Sequence, residues 1–465
     1  MKNIYITTTL PYVNADPHIG FGLEIIRADA LARAHRLSGD SVFFTTGTDE
    51  HGQKIAEKAD AEGKGRQEYV DYFAGQFAKL RDALDLSYDN FIRTTSPAHK
   101  AAAQEMWKRC AANGDIYKKK YTGLYCVGDE MFLKDSDLVN GRCPNHPNMD
   151  PQEVEEENYF FALSKYQNYL EEYLAKPGVI EPEFRRLEAL NFVKAGLEDF
   201  SISREVSRMD WGIPVPGDDT QVMYVWFDAL TNYISTLGWP EEGGNFKKFW
   251  IDGETLQLAG KDQVRFQSIM WQAMLKSAGL PATDHVDYHG FINSGGQKMS
   301  KSLGNVIAPF DLVEKYGTDA TRYMLLRHVH PYDDTDITWE RMDEWYTANL
   351  VNGLGNLASR IMKMAETHGV APALPQVSLE ANDFLDLEKV WHTISMLDEK
   401  IATEEPFKVI KVDAEKGKAI IAELVIALHK VALSLQAATP KTAAAILSAI
   451  NTNTKPENLF PRLPA

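Results

Sequence analysis

The first fifty residues contain apolar positions with two different periods. Residues 3–9 alternate apolar and polar side chains, which predicts a β-strand. Asp16 and Pro17 then predict the N-cap and first turn of a helix, which ends near Gly39. A second strand follows at residues 41–46. This strand–helix–strand order predicts a parallel, doubly wound sheet whose ligands bind at the carboxyl ends of the strands.

The rest of the chain shows three further patterns. Residues 115–195 contain a turn-rich segment, and we interpret them as an insertion within the sheet domain. Alternation resumes with a strand at 256–259, an apolar helix at 264–275 and a strand at 286–289. From about residue 340 to 450 only the helical period occurs. The predicted fold class is therefore α/β, a parallel sheet split by an insertion and followed by an all-α helical bundle.

Composition narrows the function classes. The 465 residues are 44% hydrophobic and 25% charged, which excludes a disordered or low-complexity chain. The 49 Lys and Arg against 66 Asp and Glu leave a net charge of −17, so any nucleic-acid contact must be local rather than a general basic coat. Only three cysteines occur, as expected in a reducing compartment. The most apolar stretch, 419–438, contains Glu423 and Lys430 and cannot span a membrane unaided. We expect a soluble, cytoplasmic protein.

Two short motifs could bind phosphate. Pro17-His18-Ile19-Gly20 opens the first helix, where free backbone N–H groups and the helix dipole attract anions. Lys298-Met299-Ser300-Lys301-Ser302 follows two glycines and could close over a polyphosphate. The alternatives are a capped helix with an exposed histidine and a flexible, solvated basic loop. The lysine motif lacks the glycine spacing of a P-loop, so a generic nucleoside triphosphatase is not indicated.

Together, in this order on an α/β chain, the two motifs resemble the two signatures of class I aminoacyl-tRNA synthetases. The chain is similar in particular to the methionyl-tRNA synthetases, from the N-terminus to about residue 450. The further segments that carry this resemblance are 9–14, 47–52, 202–204, 211–216 and 225–229.

The resemblance implies a Rossmann-like nucleotide-binding domain split by an insertion, then a helical anticodon-binding domain. The implied boundaries are a first catalytic half at 1–115, a connective insertion at 116–195, a second catalytic half at 196–285, a lysine-loop and stem-contact region at 286–340, and the helical domain at 341–465. The insertion is too short for the large editing domain of the isoleucine, valine and leucine enzymes.

The resemblance also implies the reaction. The carboxylate of methionine attacks the α-phosphorus of ATP, pyrophosphate leaves, and the aminoacyl group passes to the tRNA for methionine. Mg²⁺ accompanies ATP. The implied catalytic residues are His18, Lys298 and Lys301. The implied ATP-binding residues are these three with Tyr12, Asn14, Gly20 and His289. The family's second signature histidine is Phe21 here.

Methionine recognition is implied at a second set of residues. Asp49 would pair with the α-ammonium group. The implied side-chain pocket consists of Leu10, Tyr12, Trp226, Ala229, Tyr233, Gln263 and Gln267. Trp226, Ala229 and Tyr233 are spaced to share one helical face, although core packing is the alternative. Leu230 and the two glutamines depart from the family's pattern, which keeps a class I synthetase for another amino acid as an alternative.

The insertion resembles the family's acceptor-end and zinc-knuckle module. The candidate ligands are Cys126, Asp129, Cys143 and His146. The zinc-binding members use thiolates or imidazole at these positions, whereas related enzymes without zinc also carry a residue other than cysteine at the position of Asp129. Because an aspartate replaces the usual fourth ligand, the sequence leaves Zn²⁺ binding open.

In the helical domain, Leu350, Leu354, Leu357, Ile361 and Met364 form an apolar stripe. The resemblance implies that Asn352, Asn356 and Arg360 read the anticodon and that Phe407 stacks on a base. The expected partners are tRNA, ATP and L-methionine, with no membrane and a monomeric chain. A noncatalytic tRNA-binding paralogue is the remaining alternative.

Overall fold

The structure is a computed structural model that describes residues 1–128, 131–133, 137–144, 146–299 and 304–464. Its strands are β1 (Asn3–Thr7), β2 (Ser41–Thr48), β3 (Asn90–Arg93), β4 (Ile116–Cys126), β5 (Met131–Leu133), β6 (Gln152–Phe161), β7 (Ile180–Glu181), β8 (Phe200–Ser201), β9 (Ser203–Glu205), β10 (Pro214–Val215), β11 (Asp218–Met223), β12 (Glu254–Gly260), β13 (His285–His289), β14 (Ile292–Ser294), β15 (Gln297–Lys298) and β16 (Thr335–Asp336).

The α-helices alternate with these strands and then continue alone. They are α1 (Ile19–Leu37), α2 (Gln53–Ala61), α3 (Arg66–Ala78), α4 (Leu80–Ala83), α5 (Pro97–Ala112), α6 (Gln167–Leu174), α7 (Glu183–Lys194), α8 (Val225–Leu230), α9 (Asn232–Ser235), α10 (Trp271–Ser277), α11 (Pro309–Tyr316), α12 (Thr318–Arg327), α13 (Trp339–Trp345), α14 (Asn356–His368), α15 (Ala381–Leu385), α16 (Leu387–Glu404), α17 (Pro406–Val412), α18 (Ala414–Ser434) and α19 (Pro440–Thr452). Short 3-10 turns lie at Leu163–Tyr166 and Lys261–Gln263, and π-helical turns at Phe246–Ile251, Phe266–Met270 and Tyr346–Gly355.

A six-stranded sheet in the order β3-β2-β1-β12-β13-β7 forms the centre of the molecule. Its neighbouring strands all pair in parallel. Side chains of β1 alternate between two cores: Ile4 and Ile6 belong to one apolar cluster, and Tyr5 to the cluster on the opposite face. The predicted α/β fold with a doubly wound parallel sheet is therefore confirmed.

The strand order reverses direction at β1. From β1 the chain proceeds outward through β2 and β3, whereas β12 and β13 lie on the other side of β1. Such a reversal opens a crevice between the loops at the carboxyl ends of the central strands, and ligands of doubly wound proteins bind there.

The segment between the two halves of the sheet has its own β-structure. β4 and β6 form a long antiparallel pair, flanked by β5 and β8. β7 leaves this segment and adds a parallel strand beside β13 at the edge of the central sheet. The predicted insertion is thus joined to the sheet by a strand that the hydrophobic pattern does not reveal.

From Trp339 onward the regular elements are helical, as predicted. The apolar cluster on the α1 face of the sheet continues into these helices without a break, from Ile4 to Phe460. The predicted stripe faces this core: Leu350, Leu354, Leu357 and Ile361 are buried, and Met364 packs against them. In the described part of the chain, no helix is both long and apolar enough to cross a membrane.

Candidate active site

A cavity of about 530 Å³ lies at the carboxyl ends of β1, β2, β12 and β13. Most of the residues that the sequence assigns to ATP and methionine lie around it. These are Leu10, Tyr12, Asn14, His18, Gly20, Asp49, Trp226, Gln263 and His289. The sheet therefore brings together residues that are far apart in the sequence, at the reversal point where a ligand is expected.

His18 begins helix α1. Its backbone is extended and its Nδ1 accepts a hydrogen bond from the Gly20 N–H at 3.0 Å, so His18 is the N-cap. The prediction of Asp16 as the N-cap is wrong. An N-cap at position 16 would accept a hydrogen bond from the backbone N–H of residue 18 or 19, but the Ile19 N–H donates to Ile307 O at 2.9 Å. A methyl group at position 20 would lie 2.8 Å from His18 Cε1, so Gly20 is needed for this close approach.

Glu24 is a wall residue that the sequence analysis missed. Its side chain is buried one turn beyond Gly20, where Oε1 accepts from the Thr9 N–H at 2.6 Å and Oε2 from His289 Nε2 at 2.9 Å. His289 Nδ1 lies 2.8 Å from Gly290 O, so both ring nitrogens face acceptors. Burial alone would lower the pKa of His289, but the hydrogen bond and charge of Glu24 outweigh burial and raise it. The protonated form of His289 is thus favoured beside the cavity.

Asp49 follows strand β2 and is tied to the loop after β1. Its N–H donates to Pro11 O at 3.0 Å, and its carbonyl accepts from the Val13 N–H at 3.2 Å. This ladder sets Asp49 beside Tyr12. The next residue, Glu50, is fully buried and accepts two hydrogen bonds from Arg93, at 2.6 and 2.9 Å. The loop that carries Asp49 is therefore anchored on both sides.

The aromatic wall contains one predicted and one missed ring. Trp226 of α8 stacks on Phe266, with ring centroids 3.9 Å apart and planes 12° apart. Phe266 belongs to the π-helical turn Phe266–Met270, a local distortion that often marks functional sites. A single phenylalanine inside an apolar helix has no sequence signal that distinguishes it from a core residue.

The other predicted pocket residues lie behind this wall. Ala229 and Tyr233 are buried, and Gln267 donates a hydrogen bond from Nε2 to the Tyr233 hydroxyl. Burial raises the pKa of Tyr233, so its hydroxyl stays protonated. These residues do not line the cavity directly, and the hydrogen bond between Gln267 and Tyr233 lies outside its wall.

The basic motif borders the same cavity. Met299 and Val306, on either side of the motif's second lysine, contribute to the cavity wall. Lys298 ends strand β15, which pairs with β14. The side chain of Lys298 and the whole of Lys301 lie outside the described structure.

Three of the four candidate metal ligands converge in the insertion. The ligand atoms of Cys126, Cys143 and His146 lie within 4.8 Å of one another. His146 Nδ1 is 3.8 Å from Cys126 Sγ and 3.9 Å from Cys143 Sγ. Tetrahedral Zn²⁺ places a thiolate sulfur and an imidazole nitrogen about 3.6 Å apart. The three residues therefore fit zinc, while Asp129 lies outside the described residues.

The predicted anticodon residues lie on the surface of the helical domain. Asn352 and Asn356 are exposed around the junction of the π-helical turn with α14. Arg360 is partly exposed and pairs with Asp398 of α16 at 2.5 Å. Phe407, the second residue of α17, is 41% exposed, which leaves a ring face available for stacking.

Comparison with known proteins gives consistent results. The family model described as tRNA synthetases class I (M) matches residues 4–153 and 147–362. Methionine–tRNA ligase of Mesorhizobium japonicum is 39% identical over 473 residues, covering 96% of this chain and 91% of that protein. The Nostoc sp. ligase is 46% identical over 79% of this chain and 70% of its own length. The chloroplastic/mitochondrial ligase of Arabidopsis thaliana is 47% identical, but the aligned region spans only 59% of its length.

Solved structures agree with the sequences. The methionyl-tRNA synthetase of Mycobacterium tuberculosis in complex with methionyl-adenylate superposes with a TM-score of 0.89 at 35% identity, covering 100% of this chain and 99% of that one. The apo form of the same enzyme superposes with a TM-score of 0.82. The chain belongs to the methionyl-tRNA synthetase family of class I tRNA synthetases.

Proposed function

We propose that this chain is a methionine–tRNA ligase, which activates methionine with ATP and transfers it to tRNA. The observation that carries the proposal is the cavity at the reversal point of the sheet, which is lined both by a helix N-terminus with His18 and by the buried residue Asp49. The first group suits phosphate and the second an ammonium ion. The similar M. tuberculosis enzyme was solved with methionyl-adenylate, a ligand that joins both chemical groups.

In the activation step, a carboxylate oxygen of methionine forms a bond to the α-phosphorus of ATP, and the bond to the pyrophosphate oxygen breaks. No covalent intermediate with the protein is needed, so the residues act by position and charge. We assign His18, Lys298 and Lys301 to the charge that develops on the phosphates. Tyr12, Asn14, Gly20 and His289 hold ATP, which enters with Mg²⁺.

Methionine is recognised at both of its ends. Asp49 accepts hydrogen bonds from the α-ammonium group. The stacked rings of Trp226 and Phe266 offer soft, apolar contact to the thioether. The other residues assigned to this pocket are Leu10, Tyr12, Ala229, Tyr233, Gln263 and Gln267.

The aminoacyl group then passes to tRNA, whose anticodon we assign to Asn352, Asn356, Arg360 and Phe407. Two exposed amides and a guanidinium on one surface can hydrogen-bond to base edges, and Phe407 can stack on an unpaired base. We propose that the chain acts as a cytoplasmic monomer, with the domain boundaries after residues 115, 195, 285 and 340.

We further propose that Cys126, Cys143 and His146 hold a structural Zn²⁺, with Asp129 as the fourth ligand. The ion would cross-link β4 to the loop before β6 and so stabilise the insertion. Elemental analysis of the purified chain tests this assignment. One zinc per chain, lost in Cys143→Ala, is expected, and a zinc-free chain with unchanged unfolding after chelation contradicts it.

ATP–pyrophosphate exchange with each of the twenty amino acids tests the activity directly. Exchange that depends on methionine, followed by charging of the methionine tRNA, is the expected result. Exchange that prefers another amino acid would identify a class I synthetase of different specificity. Binding of tRNA without any exchange would identify a noncatalytic paralogue.

A further inference from the structure

Three buried polar side chains form a network behind the candidate methionine pocket. Asp228 Oδ2 lies 2.6 Å from His51 Nδ1, and Asp228 Oδ1 lies 2.7 Å from His99 Nε2. The Asp228 and His99 side chains are fully buried, and that of His51 is 2% exposed. None of the three lines the active-site cavity, so the proposed chemistry does not use them directly.

The protonation of the network follows from its geometry. A carboxylate only accepts hydrogen bonds, so His51 Nδ1 and His99 Nε2 are the protonated ring nitrogens. The remaining nitrogen of His99 lies 2.8 Å from Ser235 Oγ. Burial alone would raise the pKa of Asp228, but the charges and hydrogen bonds of His51 and His99 lower it to about 2. Asp228 is therefore an anion at neutral pH, bonded at both oxygens.

The network joins the segments that carry the two ends of the pocket. His51 follows Asp49 by two residues in the loop after β2. Asp228 follows Trp226 by two residues in α8, and Ser235 follows Tyr233 by two residues in α9. His99, in the first turn of α5, contacts both Asp228 and Ser235 and so completes the network. The ammonium side and the thioether side of the pocket are thus linked through one carboxylate.

Stability alone is a weak reason for such a network. Burying a charge costs free energy that the hydrogen bonds only offset, and an apolar set of the same volume is often as stable. Directional bonds do fix the distance between two segments more sharply than apolar contact does. A shift of about 1 Å between substrate-binding groups is enough to impair an enzyme severely.

We propose that Asp228 is a positioning residue that clamps the Asp49 loop to the Trp226 helix through His51 and His99. The clamp sets the distance between the ammonium-binding carboxylate and the aromatic wall, and so determines the affinity for methionine. This inference rests on the proposed function, because it takes Asp49 and Trp226 as the methionine-binding groups.

Paired substitutions separate the hydrogen bonds from packing. Asn at position 51 places an amide N–H where His51 has Nδ1–H, and Gln at position 99 does the same for Nε2–H, whereas Leu at either position removes the donor. KM values for methionine and ATP in ATP–pyrophosphate exchange, together with calorimetric binding of methionine without ATP, are the measurements. We expect His51→Leu and His99→Leu to raise the methionine KM about tenfold, at an ATP KM within twofold of the parent. His51→Asn and His99→Gln are expected to recover most of this loss.

A second histidine–aspartate pair supplies the matched control. His35 Nδ1 lies 3.0 Å from Asp40 Oδ2 at the far end of α1, so His35→Leu removes the same type of bond away from the pocket. It should leave the methionine KM unchanged. Where a leucine variant does not fold, Asp228→Asn decides, because the amide keeps the shape of the carboxylate but cannot accept both imidazole donors.

The outcomes are distinct. A rise in the methionine KM alone, reversed by the amide variants, supports the clamp. Parental methionine KM values in the leucine variants and in Asp228→Asn overturn it. Equal losses for methionine and ATP that follow the unfolding temperature also overturn it, because they indicate a purely structural network. If the parent chain shows no methionine-dependent exchange, the proposed function fails instead.

Discussion

Asp49 is a buried residue whose proposed role is to contact a ligand in the cavity. The residue is 4% exposed, yet it lies on the wall of the cavity, and backbone hydrogen bonds to residues 11 and 13 hold it there. A carboxylate in such a place interacts with an ammonium ion more strongly than it would at the surface, because little water competes. Asp49 is therefore expected to dominate methionine binding.

We expect Asp49→Asn to weaken methionine binding by about 10- to 150-fold, since a charge-assisted hydrogen bond contributes roughly 1.5–3 kcal/mol. The amide keeps the size of the side chain, so ATP binding should change little. Titration calorimetry with each ligand separately measures both effects. Parental affinity for methionine in this variant would exclude Asp49 as the ammonium-binding group.

His289 and Glu24 predict a pH dependence at the same scale. The pKa of folded His289 lies above its ordinary value of 6.5, so the pair stabilises the fold fully below pH 6.5 and loses this contribution as the pH rises through the raised value. We expect Glu24→Gln to cost about 1–3 kcal/mol at pH 6 and clearly less at pH 9. Urea unfolding at the two pH values checks this, and an equal loss at both would contradict it.

At the scale of elements, β1 was predictable because the alternation around Ile4 and Ile6 is a local signal, and β2 because it is a short run with apolar residues directly after the predicted helix end near Gly39. The start of α1 was not predictable, because it depends on a hydrogen bond from the Ile19 N–H to the carbonyl of Ile307, which is far away in the sequence. β4 was not predicted either: Lys118, Lys119 and Lys120 were assigned only to an insertion with a turn-rich segment, yet all three pair with β6. Three consecutive lysines show no alternation of apolar and polar positions, so this part of the strand carries no local signal.

The residues of the candidate site likewise include some that could be predicted from the sequence and some that could not. Asp49 and His18 were predictable because short motifs surround them, and both lie on the cavity. Glu24 and Phe266 were missed because their roles arise from partners distant in sequence, namely His289 and Trp226. Sequence patterns therefore identified the groups proposed for the chemistry, whereas the groups that hold them in place required the fold.

The π-helical turn at Phe266–Met270 carries the next prediction. Loss of the ring in Phe266→Ala removes the stack on Trp226, and an aromatic pair contributes about 0.5–1.5 kcal/mol beyond its buried area. We expect the methionine KM in pyrophosphate exchange to rise roughly two- to twelvefold. Phe192→Ala is the matched control, since Phe192 is 37% exposed and packs on Arg265 outside this cavity. Equal effects of the two substitutions would exclude a specific role for the stack.

At the scale of the whole molecule, one fully buried arginine joins three parts of the chain. Arg322 of α12 donates to Ala437 O at 2.9 Å and to Ala438 O at 2.8 Å, in the link between α18 and α19. It also pairs with Asp29 of α1 at 2.8 Å.

Asp319, one turn earlier in α12, forms a second contact with the same region. It accepts from the Thr442 N–H at 2.5 Å in the first turn of α19. Arg322 thus bonds to carbonyls in the link after α18, and Asp319 meets the N-terminal end of α19, where the helix dipole favours an anion.

This joint connects the helical domain to the helix that begins with His18. A tRNA that contacts both must span a fixed distance, so we expect a loosened joint to impair tRNA charging more than methionine activation. Arg322→Lys keeps the charge beside Asp29 but cannot reach all the carbonyls, and the lost hydrogen bonds should cost about 1–3 kcal/mol of stability. Aminoacylation efficiency should fall several-fold below that of the parent, while pyrophosphate exchange stays within twofold.

Arg327→Lys is the matched control for this last prediction. Arg327 lies on the same helix and pairs with Glu388 of α16, but that glutamate is 75% exposed and the pair does not reach α1. Solvent weakens such pairs, so both reactions should remain near parental rates. Phe407→Ala is the positive control for a loss of charging, because it should remove the stacking contact with a base without loosening the joint. If Arg322→Lys lowered exchange and charging equally, the arginine would support only the catalytic sheet. A selective loss of charging means that the joint holds the helical domain at the distance that tRNA requires.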